Sequence, residues 1–282
     1  MQNTNTAHEA PLRSFRITVP EPAQSGVAAL LEEEGFRFEP EPFSACCRRL
    51  TAEPRPLGSS LAAFFGLIYI QDRSSMLPPL ALAPEKGAAV LDMCASPGSK
   101  TGFLAQLVGP GGFVLANEVS HSRLFTLRQN LRVCNFLQAG TCSYEGQNIP
   151  LAPGSLRYIQ LDPPCSGWGT AVKNPKVMAL WHDDKVKPLI GLQRLLLRRA
   201  AGLLAPGGVV VYSTCTTNSG ENERQVEYAE ACLGLTREPL APFPGFYWDD
   251  REGSEGTLRV DGERSGSQGF YVARLRKTGE PE

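Results

Sequence analysis

The chain lacks most of what would mark a secreted, membrane-spanning or metal-centred protein. Its eight cysteines show no repeated spacing and no C-x-x-C pair, which argues against a disulfide framework and leaves reduced thiols as the expectation. His8, His121 and His182 are scattered, so no zinc site is expected. No apolar run approaches the ~20 residues of a spanning helix. The stretch from Met1 to His8 is polar where a secretory signal would carry its apolar core. A formal net charge of −1 offers no overall attraction for a polyanion. Together these absences predict a soluble cytoplasmic protein with no metal and no membrane partner, a monomer by default, whose thiols are free for chemistry.

What is there is a chain of 282 residues, enough for one large α/β domain with a small appendage. Residues 1–12 read as disordered. Ser14 to Val19 alternates like a half-buried strand, Gly26 to Gly35 reads as a helix ended by glycine, and Phe36 to Phe43 is extended. Glu53 to Gly58 is proline-rich and marks a boundary. The small α+β unit at 12–58 carries Arg13, Arg16, Arg48, Arg49 and Arg55, so it is either an RNA-contacting or a plain packing domain. Its Cys46 and Cys47 are expected to be inert. Ile68 to Asp72 reads as a short strand, followed by a serine-capped helix with Pro78 and Pro79 early.

From Val90 onward strands alternate with helices, which predicts a parallel sheet covered on both faces. The strands are Ala88–Leu91, Phe113–Asn117, Phe136–Cys142, Tyr158–Leu161 and Val209–Tyr212, with Gly269–Leu275 added antiparallel at or near an edge. Ser120 is expected to cap a helix whose apolar stripe is Leu124, Leu127, Leu131 and Cys134. A long helix over Val186–Leu204 is stopped by Gly207-Gly208, and Asn218 with Glu221 reads as a capping box. Between Lys173 and Arg199 lie seven cations (Lys173, Lys176, Lys185, Lys187, Arg194, Arg198, Arg199) against Asp183 and Asp184, a basic face or simply a solvated one.

In doubly wound sheets ligands sit beyond the carboxyl ends of the strands, and polar residues collect there. The first turn, Asp92-Met-Cys-Ala-Ser-Pro-Gly-Ser-Lys-Thr101, is a strand, a small-residue turn and a helix with Thr101 as its cap. That geometry presents backbone N–H groups to a ligand. Only Gly98 is a glycine, so the turn is neither G-x-G-x-x-G nor a phosphate loop. Glu118 follows the second strand, where an acid can take both ribose hydroxyls. The departure from the dinucleotide pattern points to S-adenosylmethionine. In Asp162-Pro-Pro-Cys-Ser-Gly167 two prolines hold the chain rigid after a buried strand. Amino-group methyltransferases carry an aromatic after such prolines; here Cys165 stands there and points to thiol chemistry. Cys215 follows the fifth strand and precedes a helix N-terminus, a setting that lowers a thiol pKa.

These motifs, with Asn117-Glu118, Ser122-Arg123, Tyr212-Ser-Thr-Cys-Thr216, Glu221-Asn222-Glu223, Tyr69-Ile-Gln-Asp72, Ser75-Met-Leu-Pro78 and Gly269-Phe-Tyr271, resemble the Sun/nucleolar-antigen family of RNA (cytosine-5) methyltransferases over about residues 12 to 277. The resemblance implies a Rossmann-like S-adenosylmethionine-dependent methyltransferase domain with a mostly parallel seven-stranded sheet over 59–278. A small RNA-binding α+β domain over 12–58 precedes it. It implies Cys215 as the nucleophile that adds to carbon 6 of a flipped-out cytosine, so that carbon 5 accepts the methyl group. It implies Asp162 at N3, Lys100 orienting Asp162, and Cys165 assisting proton loss at carbon 5 and release. Cys94, Ala95, Ser96, Pro97, Gly98, Ser99, Lys100, Glu118, Arg123 and Asp162 would surround the cofactor, with the acid near the adenine placed at Glu145. Ribosomal or transfer RNA is the expected substrate. Recognition is expected from residues 12–58 and the Lys173–Arg199 face, since no further RNA-binding domain follows Leu275.

The family usually has Ala-Ala-Pro-Gly-Gly-Lys, where this chain has Ser96 and Ser99, and Pro-Glu where it has Ser219-Gly220. Ser99 matters more, because a second glycine would ease close backbone approach. Two rivals stand beside this reading. A DNA cytosine-5 methyltransferase would use Pro164-Cys165, which leaves Cys215 unexplained. A cofactor-binding RNA assembly factor with vestigial chemistry would not need intact Lys100, Asp162, Cys165 and Cys215.

Overall fold

Two sheets organise the chain in the computed structural model, which describes residues 13–171, 174–180 and 183–279. Residues 1–12, Lys173 and His182 lie outside the described residues. The first sheet has four strands in the order β2-β3-β1-β4, all antiparallel. They are β1 (Ser14–Ile17), β2 (Arg37–Pro40), β3 (Cys47–Ala52) and β4 (Ile68–Ile70), with α1 (Glu21–Glu33) and α2 (Leu61–Phe64) packed against them. Phe15, Ile17, Val27, Leu31, Phe36, Leu50 and Leu57 form their core. Helix α1 starts well before Gly26, because Pro22 lies in its first turn, where a missing N–H removes no helical bond. Residues 14–17 are buried throughout, Arg16 included, so the half-buried alternation is not observed. The short strand at Ile68–Ile70 pairs with β1 of this sheet. Strand β3 was not foreseen. A hydrogen bond from Cys47, then one from Ser44 and the Arg16 charge, outweigh burial and bring the Cys46 thiol down to about 6.

After α3 (Leu77–Leu82), the second sheet runs β10-β12-β9-β8-β5-β6-β7, with β11 also paired to β12. Its parallel part is β5 (Ala89–Asp92), β6 (Phe113–Asn117), β7 (Ala139–Cys142), β8 (Leu156–Leu161) and β9 (Leu204–Thr214). The helices between them are α4 (Ser99–Val108), α5 (His121–Val133), α6 (Val177–Leu180) and α7 (Asp183–Leu203). The chain ends with α8 (Glu223–Cys232), β10 (Leu235–Glu238), β11 (Leu258–Val260), α9 (Gly262–Ser265) and β12 (Phe270–Lys277).

Continuous apolar runs suit strands covered on both faces. Val90, Tyr158, Val209 and Val211 point into one core, and Leu91, Ile159, Val210 and Tyr212 into the other. Leu124, Leu127 and Leu131 seat α5. Leu196, Ala200 and Leu203 seat α7.

Some expected boundaries move. Strand β12 is antiparallel and near the edge as expected, one strand in, between β10 and β9. Helix α7 ends at Leu203 and the chain passes directly into β9. Gly207-Gly208 therefore lie in the irregular start of that strand, where the register with β8 jumps from Leu156↔Leu204 to Tyr158↔Val209. No serine caps the helical segment after Asp72: the Ser74 N–H and hydroxyl donate to the Asp72 carboxylate at 3.1 and 2.7 Å, and neither that turn nor α3 carries a side-chain cap. Ser120 occupies the cap position of α5, but its hydroxyl pairs with that of Ser122.

Candidate active site

The turn between β5 and α4 is built around a buried acid. Asp92, at the end of β5, accepts a 2.7 Å hydrogen bond from the Thr101 hydroxyl. Thr101 therefore ties the first turn of α4 back to the strand and does not cap the helix. Burial pushes the Asp92 carboxyl up to about 7, against the hydrogen bond from Thr101. Gly98 takes φ of +105°, the one conformation in this turn that requires glycine, and an added Cβ would stand 3.0 Å from Leu127. Ser99 already lies in the helix, so serine strains nothing there. The turn is braced from outside. Ser96 and Arg123 exchange hydrogen bonds through each other's carbonyls, and Asn130 donates to the Pro97 carbonyl at 2.8 Å.

Lys100, in the first turn of α4, reaches the mouth of β8. Its Nζ lies 2.7 Å from Oδ2 of Asp162, and Ser213 donates to Oδ1 at 3.1 Å, so both carboxylate oxygens are held. Burial alone would lower the Lys100 pKa; the Asp162 charge and hydrogen bond outweigh it and leave the value raised. Beside this pair stand the two cysteines, Cys165 Sγ and Cys215 Sγ, 3.4 Å apart. With the Cys165 thiol as the donor, that contact lowers the Cys215 pKa against burial and the Asp162 charge, with Lys100 adding to the lowering. The same hydrogen bond, with burial, holds the Cys165 thiol far above its ordinary range. Helix α8 begins only at Glu223, so the lowering at Cys215 comes from a neighbouring thiol and ammonium and not from a helix end.

A cleft of about 230 Å³ opens at the ends of β5 and β6, lined by Cys94, Glu118, Arg123, Tyr144 and Glu145 over an apolar floor of Met93, Leu192 and Leu196. The Glu118 carboxylate is 3% exposed, accepts from the Ser120 N–H at 2.9 Å and pairs with Arg123 at 3.3 Å. A carboxylate has about four acceptor positions, so Glu118 retains capacity for a vicinal diol. Exposed Tyr144 offers a ring face for a heterocycle. A nucleoside with a polar tail fits this lining. Ala95, Ser96, Pro97, Gly98 and Ser99 form the turn behind the cleft, while Lys100 and Asp162 stand with the thiols. A larger depression of about 460 Å³, around Trp248 and Arg259, holds none of these residues. Among the described residues no His, Cys, Asp and Glu cluster could hold a metal, and no helix is long and apolar enough to cross a membrane.

Reading the sequence missed several members of the site. Ser213 sat within a quoted motif without a role. Asn117, whose side chain donates to the carbonyls of Met93 and Tyr144, shapes the cleft. The capping box does not form: Asn218 accepts from the Gly220 N–H at 2.7 Å, while Glu221 is fully buried and turned toward Ser166. Of the basic residues, Arg16 is buried and Arg199 donates to the carbonyls of Ile149 and Leu151.

A family model described as 16S rRNA methyltransferase RsmB/F matches residues 79–276. Ribosomal RNA small subunit methyltransferase F of Serratia proteamaculans is 39% identical over 287 residues, covering 98% of this chain and 59% of that protein. Its counterpart in Shewanella amazonensis is 37% identical, covering 95% and 59%. The chain thus spans about three fifths of these relatives' length. A methyltransferase homolog protein from Pyrococcus horikoshii is 31% identical and superimposes with a TM-score of 0.82 over 95% of this chain and 87% of that one. NSun6 from Pyrococcus horikoshii, solved with SFG, is 19% identical with a TM-score of 0.86 over 96% and 92%, a likeness of fold alone.

Proposed function

Because the chain belongs to the 16S rRNA methyltransferase RsmB/F family, we propose that it methylates carbon 5 of a cytosine in small-subunit ribosomal RNA through a covalent cysteine adduct. The observation that carries this reading is the pair of thiols 3.4 Å apart beside the Lys100–Asp162 pair. With Cys165 as the donor, the Cys215 pKa falls and the Cys165 pKa rises.

The chemistry follows from these groups. Cys215, as thiolate, adds its sulfur to carbon 6 of a base turned out of its stack. Asp162, its carboxylate plane fixed by Lys100 and Ser213, faces N3 and relays to it a proton from the Lys100 ammonium as the electron pair of the 5,6 double bond becomes available at carbon 5. S-adenosylmethionine supplies the electrophilic methyl group that carbon 5 takes; Glu118 would hold its ribose, with Cys94, Arg123 and Glu145 around it. Once Cys215 is bonded to carbon 6, the negative charge that held the Cys165 proton is gone. Cys165 then loses that proton to solvent and accepts the one from carbon 5. The C–H electrons restore the 5,6 double bond, the Cys215 sulfur leaves as thiolate, and the N3 proton returns through Asp162 to Lys100. Half-buried Arg48 and exposed Arg49 of β3, with exposed Arg194 and Arg198 of α7, would meet RNA phosphates.

The test is transfer of labelled methyl groups to small-subunit ribosomal RNA. Wild type transfers, Cys215→Ala does not, and Cys165→Ala accumulates a protein–RNA adduct that survives denaturation. A fully active Cys215→Ala protein, or a Cys165→Ala protein that is inactive without adduct, would reverse or remove the assigned roles.

A further inference from the structure

The two cysteine turns share a mount that neither the thiols nor the cofactor cleft contains. On one side, Glu221 accepts from the Ser166 N–H at 2.9 Å and from the Ser166 hydroxyl at 2.6 Å. Gln193 of α7 donates both to Glu221 at 3.0 Å and to the Pro164 carbonyl at 2.9 Å. The residues before and after Cys165 are therefore both held. On the other side, Asn222 accepts from the Thr214 hydroxyl at 2.5 Å and donates to the Thr216 carbonyl at 2.9 Å, holding the residues before and after Cys215. A 2.7 Å hydrogen bond between the hydroxyls of Ser166 and Thr216 joins the halves. Glu221, Asn222 and Gln193 are fully buried. Among the described residues the three donors to the Glu221 carboxylate include no cation. A carboxylate in that setting is costly unless its geometry is needed.

We propose that Glu221-Asn222 is a positioning clamp, with Gln193 as its brace, that sets the separation of the Cys165 and Cys215 sulfurs. Glu221 governs Cys165, and Asn222 governs Cys215. This rests on the covalent reading above and assigns the two halves different steps. Loosening Cys165 impairs release of the base, whereas loosening Cys215 impairs its capture.

The experiment begins without RNA, on the full chain. Iodoacetamide alkylation of Cys215 is followed by peptide mass spectrometry as a function of pH, with thermal melting to verify the fold. Glu221→Gln sets an amide N–H₂ among donors, and Gln193→Met removes the tether on Pro164. Each moves the alkylation midpoint up by about one pH unit, as expected when a hydrogen bond to the charged form is lost. With RNA, Glu221→Gln accumulates adduct about tenfold over wild type, while Asn222→Ala forms about tenfold less, the scale of a small misplacement of a reacting group. If Gln193→Met and any folded Glu221→Gln leave the midpoint in place, the clamp is overturned whatever the RNA assay gives. If both variants change adduct in the same direction, the division of labour is overturned. Absence of methyl transfer by wild type would instead remove the covalent reading, and the RNA-free midpoint would still decide the clamp.

Discussion

Replacing Lys100 with methionine keeps the length and apolar stem of the side chain and removes one charge. Among the described residues, Asp162 then keeps Ser213 as its side-chain hydrogen-bond partner. Breaking a fully buried ion pair by removing one member costs about 3–5 kcal/mol, whereas an exposed pair contributes about 0–1 kcal/mol. Lys100 is 10% exposed and Asp162 26%, so solvent screens the aspartate's side and about 2 kcal/mol is the reasonable figure. If that loss falls on the transition state, kcat/KM for RNA drops about 30-fold, at ~1.4 kcal/mol per decade. Asp162 also repels the Cys215 thiolate that Lys100 favours. The rising limb of the pH–rate profile therefore moves to higher pH in the same variant. The assay is single-turnover methyl transfer over pH 6 to about 9.5, a range that brackets an ordinary thiol. A Lys100→Met protein with unchanged rate and an unshifted limb would refute the claim that this pair tunes the site.

Three further outcomes follow from individual contacts. Asp92 binds its proton more tightly folded (about 7) than at its ordinary value of 3.8, so stability falls as pH rises between those values and is flat above. At ~1.4 kcal/mol per unit the fall reaches about 4 kcal/mol, and chemical denaturation of Asp92→Asn will show the slope gone. An alanine at Gly169 would place its Cβ 2.1 Å from the Gly269 carbonyl and 2.8 Å from that of Cys215. Gly169→Ala therefore moves the nucleophile's backbone, and methyl transfer falls at least ~100-fold while gel filtration still shows a folded chain. Glu118→Ala removes an acceptor worth about 1.5–3 kcal/mol to a hydroxyl. It raises KM for S-adenosylmethionine about 10–100-fold with kcat little changed; a collapse of kcat instead would place Glu118 in the chemistry.

The parallel strands were legible because burial on both faces writes itself as unbroken apolar runs such as Val209-Val-Val-Tyr212. Strand β3 was not: only Cys47 and Leu50 of Cys47–Ala52 are buried, and two arginines conceal the pattern. Arg16 reads as a surface cation because sequence carries no sign that Phe103, 4.7 Å away, will cover it. In the site, spacing brought the two cysteines to neighbouring strand mouths, while the Lys100–Asp162 pairing came from the family resemblance. The role of Glu221 was hidden for a definite reason. An Asn followed three residues later by Glu is locally indistinguishable from a capping box, and only the fold brings Ser166 to it. The activation of Cys215 was expected from a helix end that lies too far along the chain; a contact between residues 50 positions apart supplies it.

Arg16 bears on whether the chain can be divided. From β1 it sends Nη2 to the Ser99 carbonyl at 3.3 Å, and Gln106 of α4 returns a 2.9 Å bond to the Ile17 carbonyl. A fragment beginning at residue 59 would take β4 from its β1 partner and strip Phe103 and the Ser99 carbonyl of their cover. The same helix carries Lys100. Producing the two parts separately would thus yield a catalytic piece whose charged lever rests on an unsupported helix end, and mixing the parts would be judged by whether the lever returns to register.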